Sequence, residues 1–310
     1  MAKVGFITCA DLSKYKLSKK NSYLTHDDQL ACDFLQEKNF IVEPVLWGSD
    51  INYIKNNFNI LIIRSPWDYS ISENNTREFF SWLKALREEN ILLANSYEIL
   101  LWNLDKHYLR DLDKLKINIV PTEFFEPHED NNKIYEYLQN WQKIVVKPCV
   151  SAGARNTYLI NNTQELDNFI LKFNNLRNKN SYMIQPFIQE ICHDGEWSLI
   201  FLNQEYSHAV LKKPKAGNWL VQDELGGFVF CLEAPTQVRV LAQDIINKIN
   251  YIFPDNLLYG RIDILPGLLL GELELFEPEL FFLDRRNMSP NIQALTKFYQ
   301  GIIKILAQQN

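Results

Sequence analysis

Short apolar runs alternate with amphipathic stretches along the first 100 residues. The runs are rich in aliphatic residues and predict strands, whereas the stretches between them have helical spacing. The predicted strands are Lys3 to Cys9, Phe40 to Trp47, Asn57 to Ile63 and Ile91 to Ala94, and the predicted helices are Asp27 to Asn39 and Thr76 to Glu88. This alternation indicates a small parallel α/β sheet, whose ligands bind beyond the carboxyl ends of its strands.

The third predicted strand runs into the segment RSPWDY at residues 64–69, where Pro66 ends the strand. A cation and a carboxylate at the end of a parallel strand make this segment a candidate substrate loop. Its polar candidates are Arg64, Ser65 and Asp68. The alternative is a surface loop that Trp67 fixes to the body of the protein.

Beyond residue 100 the pattern mixes strands and helices and predicts an α+β arrangement. The predicted helices are Asn103 to Leu115, Ile134 to Trp141, Gln164 to Arg177, Thr236 to Tyr251 and Asn291 to Ala307, and the predicted strands are Lys143 to Val150, Tyr182 to Phe187, Trp197 to Leu202, Tyr206 to Leu211 and Tyr259 to Leu265. We interpret Asn103 as the N-cap of its helix and place Lys106 in the first turn. A lysine there opposes the helix dipole, so Lys106 either serves an anion or is a solvated side chain.

Two segments of small or basic residues are candidates for binding anions. Lys147 ends a strand, and the turn from Ser151 to Thr157 after it includes Ala152 and Gly153. Small residues let backbone N–H groups approach phosphate oxygens, although any tight hairpin has a similar composition. The segments 212–217, with three lysines, and 224–227 bracket a loop. The loop is either a cover over an acidic substrate or an ordinary solvated loop. Lys213 and His208 are candidates to face that substrate, and the alternative for His208 is a packing role.

The strongest chemical signal is an acidic pair in the apolar stretch from Tyr259 to Pro278. Residues two apart lie on one face of a strand, roughly 7 Å apart, so Glu272 and Glu274 stand side by side. A turn at Pro266-Gly267 brings Asp263 next to them, with Arg261 on the same face. Carboxylates in an apolar setting need a cation, and oxygen ligands favour Mg²⁺. The alternative is an edge strand with a solvated acidic face.

Composition excludes several classes of protein. Of the 310 residues, 46% are apolar and 13% aromatic, which is typical of a globular protein with sizeable cores. The net charge of −6 without a basic cluster argues against a nucleic-acid partner. Five scattered cysteines without a CxxC pair indicate a reducing compartment. We find neither a signal peptide nor an apolar run of membrane-spanning length, and therefore expect a cytoplasmic protein without a membrane partner.

Taken in order, these pieces resemble the glutathione-synthetase-like branch of the ATP-grasp superfamily, particularly its cyclo-ligase members. The residues that carry the resemblance are RSPWDY at 64–69, WNLDKHYL at 102–109, VVKPCVSAGARNT at 145–157, IQPF at 184–187, DGEWSL at 194–199, SHAVLKKPKAGNW at 207–219, QDELGG at 222–227, GRID at 260–263 and ELELFEP at 272–278. The resemblance implies an N-terminal Rossmann-like α/β domain (1–100), a central ATP-grasp subdomain (101–180) and a C-terminal ATP-grasp subdomain (181–310). It also suggests a homodimer.

Residue roles follow from the same resemblance. It implies that Lys106 and Lys147 contact ATP phosphates, that the loop 151–157 closes over them, and that Arg261 steadies the transferred phosphoryl group. The resemblance further implies an adenine hinge at Gln185, Pro186, Phe187 and Ile188, a ribose contact at Glu196, and magnesium ligands at Asp263, Glu272 and Glu274. Two Mg²⁺ ions are expected, with Mn²⁺ as an alternative. Many relatives have asparagine where this chain has Glu274.

The expected activity is ATP- and Mg²⁺-dependent ligation of a small amino-acid-like substrate. Its carboxylate would be activated as an acylphosphate and opened by an amine-type nucleophile, within one molecule or between two. Such chemistry depends on positioning and electrostatics and needs no covalent enzyme nucleophile. The alternatives are a ligase that adds an amino acid to a peptide or protein, and a nucleotide-binding regulatory protein without catalysis.

Overall fold

The computed structural model describes residues 1–10, 23–127, 129–151, 153–173, 180–222, 225–254 and 257–309. Its first part is a four-stranded parallel sheet with the strand order β2-β1-β3-β4. The elements are β1 (Lys3–Thr8), α1 (His26–Glu37), β2 (Ile41–Leu46), α2 (Ile51–Asn57), β3 (Ile60–Ser65), a 3-10 turn (Trp67–Ser70), α3 (Glu73–Glu88) and β4 (Leu93–Ala94). The predicted parallel α/β sheet is confirmed.

A second, antiparallel sheet has the strand order β5-β8-β6-β7. The elements of this part of the chain are α4 (Tyr97–Leu104), α5 (Tyr108–Lys114), β5 (Glu123–Phe125), α6 (Asn132–Trp141), β6 (Ile144–Pro148), β7 (Tyr158–Ile160), α7 (Thr163–Phe173) and β8 (Tyr182–Pro186). Residues 174–177 of the helix predicted from Gln164 to Arg177 lie outside the described residues.

The third sheet is antiparallel and has the order β11-β10-β9-β12-β13. The remaining elements are α8 (Ile191–Asp194), β9 (Glu196–Leu202), β10 (Glu205–Lys213), β11 (Phe228–Cys231), α9 (Thr236–Ile252), β12 (Tyr259–Leu265), β13 (Leu269–Glu274), β14 (Leu283–Asp284), β15 (Ser289–Pro290) and α10 (Ile292–Ala307). No helix in the described part of the chain is long and apolar enough to cross a bilayer.

The C-terminal helix α10 joins the first sheet to the third. Its side-chain cap is Asn291, whose Oδ1 accepts a hydrogen bond from Ala294 N at 3.1 Å. The buried face includes Phe298, whose ring lies 6.4 Å from that of Phe6 in β1 and 5.5 Å from that of Phe282. These contacts belong to one apolar core that both sheets share, so the first sheet is held firmly beside the third.

The predicted helix from Asn103 to Leu115 is wrong in its boundaries. Asn103 lies in the last turn of α4, and Lys106 lies in the connection before α5. Instead of capping a helix, the Asn103 side chain bonds to the backbone of β13. Its Nδ2 donates to Leu273 O at 2.8 Å, and its Oδ1 accepts from Leu275 N at 2.6 Å. This tertiary pairing replaces the expected N-cap.

Candidate active site

A cavity of about 860 Å³ is lined by residues from all three sheets. The residues predicted from the sequence that line it are Arg64, Lys106, Lys147, Ser151, Gly153, Gln185, Pro186, Phe187, Ile188, Glu196, Arg261, Asp263, Glu272 and Glu274. Ala152, also predicted, lies outside the described residues. The fold therefore gathers into one space residues that are up to 210 positions apart in the chain, from Arg64 to Glu274.

The carboxylates meet because β12 and β13 form a hairpin. Its register places Asp263 opposite Glu272 and Arg261 opposite Glu274. Gly267 has a φ of +79°, which the turn requires and which glycine adopts without strain. One carboxylate oxygen from each of Asp263, Glu272 and Glu274 lies within 4.8 Å of the others. The predicted side-by-side arrangement is confirmed, and the three acids form a set of oxygen donors of the kind that a divalent cation prefers.

Asp263 is the most strongly held of the three acids. It accepts hydrogen bonds from Ser198 Oγ at 2.5 Å, from Arg261 Nε at 3.0 Å and from Lys212 Nζ at 3.3 Å. Burial by itself would raise the pKa of Asp263, but attraction to Arg261 and Lys212 outweighs burial and lowers the pKa to about 2. Asp263 is therefore ionised at neutral pH.

The other two acids differ in how well cations compensate them. Burial would raise the pKa of Glu272, yet Lys106, at 3.3 Å, and Lys147 bring the pKa below its usual value. Glu274 accepts a short hydrogen bond from Arg261. Burial and repulsion from the neighbouring carboxylates nevertheless raise the pKa of Glu274 to about 7. Of the three acids, Glu274 is therefore the one that the surrounding cations compensate least.

The two lysines predicted to bind phosphate come from different elements, Lys106 from the connection between α4 and α5 and Lys147 from β6. Lys106 Nζ donates to Ser151 O at 3.0 Å, and the Lys106 pKa is raised because attraction to Glu272 and Glu274 exceeds the effect of burial. Burial lowers the pKa of Lys147, and repulsion from Lys106 acts in the same direction. Two buried cations that repel each other favour an anion between them.

A third cation, Lys212, was missed because the sequence pattern placed it in a loop. Strand β10 extends through Lys213, so Lys212 points into the cavity and Lys213 points away. Lys212 contacts both Glu196 and Asp263. The signal was present in the alternation of β10, since Val210 and Lys212 are two apart and lie on one face.

The hinge predicted to bind adenine lies along the cavity wall at the end of β8. Gln185 is held by a hydrogen bond from its Nε2 to Thr122 Oγ1 at 2.8 Å, and Phe187 N donates to Lys143 O at 3.0 Å. The ring of Phe187 meets that of Trp219 edge-on at 6.0 Å. Burial raises the pKa of Glu196 despite its pairing with Lys212. The adenine and ribose roles of these residues stay predictions.

The candidate substrate residues separate into two groups. Arg64 is buried, lines the cavity and donates from Nε to Asp28 Oδ1 at 2.8 Å, while its buried Nη1 has no partner among the described residues. In contrast, Ser65, Asp68 and Lys213 are absent from the described cavity lining. They bond instead to Asp28, to the Trp47 indole and to His193 O, respectively.

Several cavity residues were assigned no role from the sequence. Asp27 and Asp28 lie outside the motifs, whereas Tyr69 and Glu277 lie within the segments 64–69 and 272–278 but were not singled out. Burial and the charge of Glu274 raise the pKa of Glu277 well above its usual value. His208, in contrast, is a packing residue, because its Nε2 lies 3.0 Å from Leu280 O and burial lowers its pKa to about 4.

Comparison with known proteins agrees with this architecture. The family model for the ATP-grasp domain of prokaryotic glutathione synthetase matches residues 118–279, and that for the N-terminal domain of D-cycloserine synthetase DcsG matches residues 4–95. The cycloserine biosynthesis protein DcsG of Streptomyces lavendulae is 25% identical over 247 residues, which cover 72% of this chain and 77% of that protein.

Solved structures show the same fold. The crystal structure of D-cycloserine synthetase DcsG has a TM-score of 0.79 at 21% identity and covers 98% of this chain and 100% of its own. The D-alanine–D-alanine ligase of Bacillus anthracis has a TM-score of 0.64 at 13% identity and covers 100% of this chain and 98% of its own.

The fold and the cavity together define an ATP-dependent ligase. The chain belongs to the family of the prokaryotic glutathione synthetase ATP-grasp domain, since that model matches more than half of its length. It is therefore an enzyme of the carboxylate–amine ligase kind that uses ATP. The resemblance, the ATP-grasp fold and the enzyme class predicted from the sequence are confirmed.

Proposed function

We propose that this ligase activates the carboxylate of a small amino-acid-like substrate as an acylphosphate, which an amine-type nucleophile then opens. The observation that carries the proposal is the arrangement of charge in the cavity. Three carboxylates on β12 and β13 face Arg261 and three lysines, Lys106, Lys147 and Lys212. Such an arrangement suits a reaction between two anions, because both the substrate carboxylate and the ATP phosphates must be neutralised before they meet.

The acidic cluster fits a hard divalent cation. Its donors are all carboxylate oxygens. Burial and, after it, repulsion from Glu272 and Asp263 raise the pKa of Glu274, and a bound cation would offset both effects. We assign Asp263, Glu272 and Glu274 as the residues that hold Mg²⁺, with two ions expected and Mn²⁺ as an alternative. When bound, the metal would act as a Lewis acid toward phosphate oxygens.

The cationic side chains then take distinct roles. We assign Lys106, Lys147 and Lys212 to the phosphates of ATP, and Arg261 to the transferred phosphoryl group, because all four line the cavity beside the carboxylates. The turn from Ser151 would close over the phosphates, and the segment from Gln185 to Ile188 would bind the adenine edge. Glu196 would bind the ribose. Arg64, whose buried Nη1 has no partner among the described residues, would bind the substrate.

The chemistry balances without a covalent enzyme intermediate. An oxygen of the substrate carboxylate forms a bond to the γ-phosphorus of ATP as the bond to the ADP oxygen breaks. The nitrogen nucleophile then attacks the acyl carbon, inorganic phosphate leaves, and the nitrogen loses a proton. The protein positions the reactants and stabilises the charge that develops.

Two observations favour a small substrate. The cavity of about 860 Å³ matches the size range of small-molecule sites. The relative DcsG is a cycloserine biosynthesis protein, which supports ring closure within one molecule as a variant of the same chemistry. In this proposal the chain divides near residues 100 and 180 into an N-terminal domain and two ATP-grasp subdomains. The second sheet crosses the boundary near residue 180, because β8 pairs with β5 and β6.

The test is a screen of amino acids and their derivatives for substrate-dependent release of ADP with Mg²⁺, repeated with hydroxylamine to trap an acylphosphate as a hydroxamate. Glu272→Gln should abolish most turnover and weaken Mn²⁺ binding measured by electron paramagnetic resonance. Glu233→Gln, at an exposed ion pair with Arg239, is the matched control. Unchanged turnover in Glu272→Gln would contradict the metal assignment. Activity confined to peptide or protein acceptors would favour the alternative ligase.

A further inference from the structure

The turn formed by Asp105, Lys106 and His107 connects α4 to α5 and carries one of the cavity lysines. On one side it is fixed to the residues after β6. Lys106 N donates to Cys149 O at 2.9 Å, and Lys106 Nζ donates to Ser151 O at 3.0 Å. The backbone and the side chain of Lys106 are therefore both bonded to the segment 149–151, where the small-residue turn begins.

His107 holds the opposite side of this turn. Its Nδ1 lies 2.6 Å from Asp105 Oδ1, and its Nε2 lies 3.1 Å from Glu126 Oε1, just after β5. The ring stacks on Phe124 of β5, with centroids 4.5 Å apart and planes inclined by 20°. The backbone N of His107 also donates to Asp105 Oδ1 at 3.0 Å. The His107 imidazole thus links the turn of residues 105–107 to β5, the edge strand of the second sheet.

Glu126 is itself fixed in place by two further donors. Arg110 Nη2 donates to Glu126 Oε1 at 3.0 Å, and Ser181 Oγ, directly before β8, donates to Glu126 Oε2 at 2.5 Å. Burial would raise the pKa of Glu126, but hydrogen bonds from Ser181, His107 and Arg110 outweigh burial and lower it. His107 therefore bonds to an ionised, well-held carboxylate that connects two strands of the sheet.

The same neighbourhood brings Asp105, His107 and Cys149 close enough to suggest a metal site. Two observations argue against a metal there. Both ring nitrogens of His107 are already engaged by carboxylate oxygens. Burial also raises the pKa of the Cys149 thiol, so it stays protonated and is a poor ligand. These three residues are better explained as structural contacts that hold the turn than as metal ligands.

We propose that His107 is a positioning residue that holds Lys106 in place for the phosphates of ATP. This inference rests on the proposed phosphate role of Lys106. Without the imidazole, the turn keeps its attachment to Cys149 and Ser151 but loses its own contacts with Phe124 and Glu126, and Arg110 of α5 still bonds to Glu126 nearby. Lys106 then samples more conformations, and binding ATP must restrict them again. The segment proposed to bind adenine keeps its own bonds, from Gln185 to Thr122 and from Phe187 to Lys143.

The experiment compares ATP with adenosine, because only ATP has phosphates for Lys106 to bind. In calorimetric titrations with Mg²⁺, His107→Ala should weaken ATP binding about tenfold, the size expected for loss of a charge-assisted hydrogen bond. It should leave adenosine binding unchanged. His107→Gln, which keeps a donor for Glu126, should recover part of the ATP affinity. His193→Ala, an exposed histidine on α8, is the matched control.

A double-mutant cycle separates positioning from a direct role. In a Lys106→Ala background, His107→Ala should cost almost nothing further, because its effect acts through the lysine. Equal losses for ATP and adenosine, or additive losses in the double variant, would overturn the positioning role. If Lys106→Ala weakens ATP binding and neither His107 variant does, positioning fails while the phosphate assignment survives. If Lys106→Ala itself leaves ATP affinity unchanged, the phosphate assignment fails, and the positioning role fails with it.

Discussion

Replacing Asn103 by aspartate distinguishes the two interpretations of this residue. As a helix N-cap, asparagine can be exchanged for aspartate at almost no cost, because both side chains accept a hydrogen bond there equally well. In the structure, Asn103 is 6% exposed and bonds to the edge of β13, donating to Leu273 O and accepting from Leu275 N. Aspartate keeps the acceptor and loses the donor.

The loss of stability in Asn103→Asp comes from the hydrogen bond that Leu273 O no longer receives and from the new buried charge. A buried carbonyl deprived of its donor costs about 1–3 kcal/mol, here at Leu273 O. The new carboxylate lies in the last turn of α4, where a negative charge opposes the helix dipole by about 0.3–1 kcal/mol. The cost of burying the carboxylate adds to these two contributions, although Leu275 N still donates a hydrogen bond to the carboxylate. We expect Asn103→Asp to lower the free energy of unfolding by about 3 kcal/mol.

The loss should also depend on pH, with a sign that the structure fixes. A buried aspartate facing a carbonyl has a raised pKa in the folded state, and its protonated form can donate to Leu273 O in place of the amide. The folded state then binds a proton more tightly than the unfolded state. Relative stability is therefore recovered as pH falls through the raised pKa, and lost as pH rises through it.

Urea unfolding followed by both circular dichroism and tryptophan fluorescence measures this change, and coincident transitions would support a single cooperative step. Asn247→Asp, at an exposed position of α9, makes the same chemical change and should stay within about 0.5 kcal/mol of the parent. If Asn103→Asp behaves like this control at every pH, Asn103 does not hold β13, and the structural interpretation is refuted.

Two further predictions concern charged groups. Lys212→Met should lower the free energy of unfolding by about 3 kcal/mol in urea, because Glu196 and Asp263 lose a buried cation, whereas Lys213→Met should change it little. Burial depresses the folded pKa of His208 from 6.5 to about 4, so the contribution of His208 to stability should fall by up to about 3 kcal/mol as pH drops across that interval. In His208→Gln that part of the pH dependence should disappear from the urea midpoints, and an unaltered slope would place its origin elsewhere.

Local patterns predicted the strands, the parallel first sheet and the acidic hairpin. Glu272 and Glu274 were predictable because a period of two fixes the face of each side chain, and Pro266-Gly267 fixes the turn that returns the strand. Once the hairpin was assigned, the positions of Arg261 and Asp263 on the same face followed. Signals of this kind depend only on residues that are near each other in the chain, so one sequence is enough to find them.

Lys212 and Asp28 show where such reasoning ends. The segment KKPKAG has the composition of a loop, and pairing with β9 and β11 keeps Lys212 in a strand and turns it towards Asp263. Asp28 lies in the first turn of α1, where acidic residues are common for local reasons. Its bonds to Arg64 and Ser65 depend on the position of β3, 36 residues later. Asp28 has no local pattern that marks it as part of the cavity, and the alternation that Lys212 shares with Val210 is informative only once β10 is known to extend through Lys213.

The edge of β13 extends this argument to the assembly of the whole site. An exposed edge strand offers unpaired backbone groups, and here those of β13 bond to segments far away in the chain. Asn103 binds Leu273 and Leu275, Val120 N donates to Leu270 O at 3.0 Å, and Asn95 Nδ2 donates to Leu275 O at 2.7 Å. The bonded groups on the β13 side are all backbone atoms, so no side chain there provides a pattern that could be matched to the partner residues. The placement of the acidic strand against its neighbours is therefore set by contacts that become visible only in three dimensions.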